Sequence, residues 1–247
     1  MAGHSHWAQI KRKKGANDAK RGKLFSKIAK KIMAAARAGG GDPAANLTLR
    51  YAIDEGRKVN MPKDSIDNAI KKGTGELGGG NELEELIYGG YGPGGVAVLC
   101  EVVTDNRNRT TPELKKLFEK RGGKFDDSGS TQYKFEQLGV VYAKGDAIDE
   151  DDLLELLIEV GVEQEPLKVD DEEGGVWEIR SPVEAFSQLR KALDEKGVPV
   201  EDASVSRLPM MPIPLGEKDA EKVQNLLEDL DDHDDVSNVF TDAEFPR

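Results

Sequence analysis

Apolar residues recur at steps of three and four along residues 24–36, which is the period of a helix that buries one side. The buried stripe is predicted to contain Leu24, Phe25, Ile28, Ile32, Ala35 and Ala36. Glycines at 39–41 end this helix. Similar patterns predict a second helix over residues 49–59 and a third over residues 62–73, which opens at a proline and closes at a glycine. We therefore predict a small three-helix domain.

The pattern changes after a glycine-rich segment, TGELGGGN at residues 74–81. This segment has no apolar period, and we predict a flexible hinge there, formed by Gly78, Gly79 and Gly80. The next apolar run, residues 96–105, is rich in β-branched side chains. Its composition and length predict a buried strand, which marks the start of a different class of domain.

Two α+β units are predicted beyond this point. A helix with Thr111 as its N-cap and Pro112 at its first position is followed by a predicted strand at residues 130–136. Residues 139–208 then show the order β-α-β-β-α-β, which is typical of the ferredoxin-like unit. A closing helix and strand within residues 218–241 supply the elements that the first unit still lacks.

These patterns together predict an α+β fold with three domains. An N-terminal three-helix domain is followed by two ferredoxin-like α+β domains, the second inserted into the first. The predicted bounds are residues 1–77, residues 78–137 with 209–247, and residues 138–208.

Charge is divided unevenly along the chain. The whole protein has a formal net charge of -12, but residues 1–72 hold 17 Lys and Arg against 6 Asp and Glu, a net of +11. The other 175 residues therefore carry a net of -23. A basic segment attracts polyanions while an acidic remainder favours solubility, so we expect a nucleic acid as partner, either duplex DNA or ribosomal RNA.

The candidate nucleic-acid-binding residues form two groups. The first group is the basic arm and first helix, with Trp7, Lys11, Arg12, Lys13, Lys14, Lys20, Arg21, Lys23, Lys27, Lys30 and Lys31. Trp7 could stack on a base or pack against the helical domain. The second group is Arg107 and Arg109 in TDNRNRT, which we place in a turn at a helix N-terminus, where they could bind phosphate or pair with nearby acids.

Other motifs do not indicate catalysis or a cofactor. GGYGPGG at residues 89–95 precedes a strand, whereas nucleotide-binding loops follow one, so we interpret it as a turn or hinge. The acidic clusters at 149–152, 170–173 and 231–235 are interpreted as solvated helix ends. Cys100 is expected to be a buried, inert thiol. We expect a non-enzymatic, soluble, cytoplasmic protein with no metal site and no membrane segment, and we favour a monomer.

Several long motifs in order resemble the YebC/PmpR family. They are AGHSHWAQIKRKKGANDAKRGKLFSK, AGGGDP, NMPKDSIDNAIKKGTGE, YGGYGPGGVAVLCEVVTDNRNRT and FEKRGG, which cover the chain densely to about residue 123. The resemblance implies a helical N-terminal domain followed by two α+β domains. It also implies a non-enzymatic regulator, either a DNA-binding transcriptional regulator or a ribosome-associated translation factor that assists synthesis through proline-rich stretches.

One segment departs from the family pattern. KFDDSGST, at residues 124–131, stands where relatives usually have a Leu-Gly pair and then Gly-Ser-Val. The departure adds two acids beside the predicted strand.

A protein-interaction scaffold that binds a basic partner through the acidic faces is the third alternative for the function.

Overall fold

The computed structural model of the protein describes residues 18–77, 83–169 and 175–246. Its helices are α1 (Asp18–Gly39), α2 (Leu47–Lys58), α3 (Lys63–Gly73), α4 (Arg107–Lys120), α5 (Glu150–Glu159), α6 (Val183–Glu195) and α7 (Glu217–Asp231). Its strands are β1 (Glu84–Tyr91), β2 (Ala97–Thr104), β3 (Lys124–Asp126), β4 (Phe135–Lys144), β5 (Leu167–Val169), β6 (Val176–Ser181), β7 (Val200–Pro209), β8 (Ile213–Pro214), β9 (Val236–Thr241) and β10 (Ala243–Glu244). No helix in these ranges is long and apolar enough to cross a membrane.

The chain divides into two compact units, one of which is inserted into the other. The first unit contains the chain up to Lys134 and from Pro209 onward, and the second contains Phe135–Leu208. The first unit carries the helices α1 to α3 and the sheet β3-β1-β2-β9, and the second carries the sheet β5-β6-β4-β7. The α+β fold class, with helices followed by two sheet-containing domains, is confirmed. The predicted hinge at Gly78, Gly79 and Gly80 lies outside the described residues.

The three-helix domain forms around the predicted stripe of α1. Its core consists of Ile28, Ile32, Ala35, Ala36, Leu49, Ala52, Ile53, Met61, Ile66 and Ala69. A buried amide joins α1 to α2: the Asn46 side chain accepts the backbone N–H of Leu49 at 3.1 Å and donates to the carbonyls of Ala35 and Gly40, both at 2.8 Å. One side chain therefore caps the start of α2 and satisfies carbonyls at the end of α1.

The sheet of the first unit has the strand order β3-β1-β2-β9, with every neighbouring pair antiparallel. Helices α4 and α7 cover one face, and their residues Leu114, Phe118, Val223, Leu226 and Leu227 share a core with alternate residues of β2. β2 and β3 are parallel with β1 between them, as in a split β-α-β unit. The arrangement is ferredoxin-like, but the strand that fills the split comes first in the chain.

Strands β1 and β3 were not predicted. The strand predicted at residues 130–136 is wrong over its first five residues. A short 3-10 turn, Gln132–Lys134, lies there instead, and β4 begins only at Phe135. β1 escapes prediction because it contains Gly89 and Gly90, which are depleted in strands. A Cβ at Gly90 would meet the Phe118 ring at 2.5 Å and the Lys124 carbonyl at 2.6 Å, so close packing requires glycine there.

Helix α4 also begins earlier than predicted. Asn106 is its N-cap, with its side chain accepting the backbone N–H of Arg109 at 3.1 Å. Thr111 and Pro112 therefore lie inside the helix, and the Thr111 hydroxyl donates to the Arg107 carbonyl at 2.9 Å. An asparagine cap stabilises a helix start as well as threonine does, and Pro112 costs the helix one hydrogen bond rather than marking its start.

The inserted unit has the predicted element order. Its sheet order, β5-β6-β4-β7, is that of the ferredoxin-like unit, and α6 packs against β4 and β6. The contact is close, because a Cβ at Gly139 of β4 would lie 2.5 Å from the Phe186 ring of α6. The β-α-β-β-α-β prediction for residues 139–208 is therefore confirmed.

Substituting Gly73 should test the packing of α3 on α1. A Cβ at this position would meet the Met33 carbonyl at 2.5 Å and the Ala36 Cβ at 2.8 Å. Because backbone must move to make room, we expect Gly73→Ala to lower the free energy of unfolding by about 1–3 kcal/mol in a urea titration followed by circular dichroism.

Gly22→Ala in α1 is the matched control, since a Cβ at that position would have no neighbouring atom within 4 Å. That substitution should raise the free energy of unfolding by about 0.5–1 kcal/mol, as expected for alanine in place of glycine within a helix. Equal effects of the two substitutions would contradict the packing account.

Candidate nucleic-acid interface

The lysines of α1 contact an acidic segment from the other end of the chain. We name residues 231–235, Asp-Asp-His-Asp-Asp, the acidic loop. Lys23 lies 3.7 Å from the carboxylate of Asp234, and Lys27 donates to the carbonyl of Asp231. The interpretation of this cluster as a solvated helix end fits the exposed Asp232 and Asp234 but is wrong for Asp235, which is buried. The loop is a partner of the basic helix, and the contact lies within one compact unit of the chain.

Asp235 is the centre of this contact. Its side chain is 3% exposed, and its carboxylate accepts from Lys30 at 2.5 Å and from Arg109 at 2.7 Å. Thr110 and Thr104 donate to the same carboxylate at 2.7 and 3.2 Å. The donors come from α1, from α4 and from the end of β2. One buried carboxylate thus joins the helical domain to two elements of the neighbouring sheet domain.

Charge-assisted hydrogen bonds decide the protonation state of this carboxylate. Burial alone would raise the pKa of Asp235, since it penalises the charged form. The hydrogen bonds from Lys30, Arg109 and Thr110 outweigh burial and hold the pKa of Asp235 well below its usual range. Asp235 is therefore ionised throughout the physiological range, and a buried charge in this state requires its partners.

His233 fixes the conformation of the acidic loop. Its Nδ1 accepts the backbone N–H of Asp235 at 3.1 Å, and its Nε2 lies 3.0 Å from the Glu113 carboxylate. Because Nδ1 is an acceptor, the ring proton is on Nε2, which donates a hydrogen bond to the Glu113 carboxylate. The Asp235 carbonyl accepts from the backbone N–H of Val103 at 2.8 Å. Side chain and backbone together hold Asp235 against the sheet.

The two predicted arginines have different environments. Both lie in the first turn of α4 rather than in a preceding turn. Arg109 pairs with Asp105 at 3.0 Å and with Asp235 at 2.7 Å, which makes it a structural residue. Arg107 is exposed and has no ion pair among the described residues. Of the pair, Arg107 is the one whose side chain is open to an anion.

The remaining predicted residues are only partly covered by the structure. Trp7, Lys11, Arg12, Lys13 and Lys14 lie outside the described residues, and Lys20 is in the first turn of α1. Arg21 is exposed, with its guanidinium 5.4 Å from the centre of the Phe25 ring. Lys31 is paired with Glu55 at 3.0 Å and lies 3.3 Å from the Asn238 side-chain oxygen.

Sequence reasoning missed a group of cations around a groove of about 1160 Å³ between the helical domain and α4. These cations are Arg37, Lys72, Lys116 and Lys120. A signal for part of the set was present: Arg109, Glu113, Lys116 and Lys120 follow steps of four, three and four, which places them on one face of α4. Arg37 and Lys72 reach the groove only through tertiary packing, which has no periodic signature.

The fold and this interface define a class of protein: a basic helical domain held against a ferredoxin-like domain, with a second ferredoxin-like domain inserted. Two family models match the chain. The TACO1/YebC protein N-terminal domain matches residues 5–76, and the TACO1/YebC second and third domain matches residues 83–243.

Relatives match over the full length. A protein of Rhodopirellula baltica named probable transcriptional regulatory protein RB5500 is 49% identical, with 100% of this chain and 98% of that one covered. A probable transcriptional regulatory protein of Syntrophus aciditrophicus is 48% identical, with 100% and 96% covered. The crystal structure of a conserved hypothetical protein, Aq1575 from Aquifex aeolicus, superposes with a TM-score of 0.84 at 44% identity over 98% of each chain. This chain belongs to the TACO1/YebC family.

Removing the charge of Asp235 should destabilise the protein and change its response to acid. We expect Asp235→Asn to lower the free energy of unfolding at pH 7 by about 2–3 kcal/mol, somewhat less than for a fully buried pair because Lys30 and Arg109 reach solvent. Asp234→Asn, at a position whose side chain is 71% exposed, is the control and should cost less than about 1 kcal/mol.

The sign of the pH effect follows from the lowered pKa of Asp235. The folded protein holds this pKa below the unfolded value of about 3.9, so the stability that Asp235 contributes is present above that value. It is lost as the pH falls below about 4 toward the folded pKa. Urea titrations from pH 7 to pH 2 should therefore show a shallower acid loss in Asp235→Asn than in the wild type. Parallel curves would contradict this role.

Proposed function

We propose that this chain is a nucleic-acid-binding regulator of transcription that acts by binding, without making or breaking a bond. The observation that carries the proposal is the net charge of +11 in residues 1–72 of a chain whose total is -12. A basic segment of this kind supplies the sequence-independent part of affinity for phosphates. The names of the relatives, probable transcriptional regulatory proteins, support the same role.

The internal ion pairs limit which cations serve this function. Lys30, Lys31 and Arg109 are bound by acids of the same chain, so releasing them to a phosphate would break existing contacts. We assign the nucleic-acid contact to the N-terminal arm together with Arg21 and Arg107. Arg21 and Arg107 are exposed and outside these pairs. Lys23, with a side chain 57% exposed, lies at the boundary between the two groups.

Neutralising the arm should change the salt dependence of binding. Each phosphate contact on duplex DNA contributes about -0.9 to the slope of log K against log salt. Replacing Lys11, Arg12, Lys13 and Lys14 with alanine should therefore flatten that slope by up to about four units. Fluorescence anisotropy of a labelled random-sequence duplex, titrated at several KCl concentrations, measures it.

A charge-matched control uses exposed lysines away from the arm. Lys63, Lys71, Lys115 and Lys191 are all exposed, and their replacement with alanine removes the same four charges. If the control flattens the slope as much as the arm variant does, net charge rather than the arm governs binding. An unchanged slope in the arm variant would remove the arm from the interface.

A further inference from the structure

The groove has an acidic part and a basic part, separated along α1. Lys30 of α1 binds the acidic loop, and Arg37 lies seven residues further on, about 10 Å along the helix axis. Gly73 packs against Met33 and Ala36, which brings the last turn of α3, with Lys72, to this same end of α1. The acidic loop and two of the unpaired cations, Arg37 and Lys72, therefore lie at different places along α1, whereas Lys116 lies one turn from Glu113 on α4.

Three cations of the basic part have no ion pair among the described residues: Arg37, Lys72 and Lys116. Carboxylates are abundant, because the chain contains 47 Asp and Glu against 35 Lys and Arg. Lys30 and Arg109 each have a carboxylate partner. The favourable position of a cation in the last turn of a helix accounts for Arg37 and Lys72. It does not account for Lys116, which lies in the second half of α4.

The size and lining of the groove indicate what it holds. A volume of about 1160 Å³ exceeds the usual 300–1000 Å³ of small-molecule pockets, which favours a segment of a polymer. The lining includes the apolar side chains of Met33, Leu83 and Leu117, and the only ring among its described residues, the His233 imidazole, is held by hydrogen bonds to Asp235 and Glu113. Contact with a nucleic acid would therefore be made to phosphates rather than by stacking of bases. Sequence-independent binders of single strands use a basic groove of this kind to follow the backbone.

We propose that this groove binds a single-stranded segment of nucleic acid by its phosphates, through Arg37, Lys72 and Lys116. The acidic loop repels phosphates at the other end and confines the strand to the basic part. The proposal rests on the proposed function and adds a second site, distinct from the arm. Because the contacts are to phosphates, binding is independent of base sequence.

The test compares single-stranded and duplex probes on the full chain. One variant carries Arg37→Ala, Lys72→Ala and Lys116→Ala, and its control carries Lys63→Ala, Lys71→Ala and Lys115→Ala. The control removes three exposed charges, and two of them are the sequence neighbours of the groove residues on α3 and α4. The probes are a labelled twelve-residue oligo-dT, an oligo-U of the same length and a labelled duplex, each followed by anisotropy across a range of KCl concentrations.

For single strands each contact contributes about -0.7 to the salt slope, so the groove variant should flatten the slope for the oligonucleotides by about two units. Its duplex slope, and all slopes of the control, should stay at the wild-type values. An unchanged single-strand slope, an equal change in the control, or an equal change on the duplex would overturn the groove proposal. If the wild-type protein binds neither kind of probe, the proposed function itself fails.

Discussion

A single buried carboxylate, that of Asp235, sets the arrangement on which the rest of the first unit depends. Its charge is removed from water and must be compensated, and the compensation comes from Lys30 of the helical domain and Arg109 of α4. Lys30 can reach it only if α1 lies against the acidic loop. The hydrogen bonds of His233 and Val103 fix the loop in turn. The buried charge of one residue thus keeps the helical domain packed against the neighbouring sheet domain.

This arrangement divides the positive charge of the described residues into two populations. Cations such as Lys30 and Lys31 are bound by acids of the same chain and stabilise the fold. Others, such as Arg107 and Arg37, are exposed and without ion pairs among the described residues. A count of lysines and arginines would treat both populations as phosphate ligands. The structure separates them, and the second population is the one that the proposed nucleic-acid contacts use.

The sequence predicted what has a local or periodic signal. The helices around Ile28 and Ile66, the strand through Cys100 and the inserted β-α-β-β-α-β unit all follow apolar patterns that the structure confirms. β1 was missed because Gly90 must be small where Phe118 packs, and this requirement is visible only in three dimensions. The pairing of Lys30 with Asp235 joins residues 205 positions apart, and such contacts leave no spacing to detect. The spacing of Arg109, Lys116 and Lys120 shows that they share one face of α4. It does not show that this face lies near Arg37 and Lys72.

The chain binds its own basic helix through Asp235, and a double-mutant cycle measures this contact directly. Lys30→Ala, Asp235→Asn and the double variant would be compared with the wild type by their free energies of unfolding at pH 7. We expect a coupling energy of about 1.5–3 kcal/mol between the two positions, as found for residues in one ion-pair network. A coupling energy below about 0.5 kcal/mol, the value typical of independent sites, would show that the two domains are held together by something else.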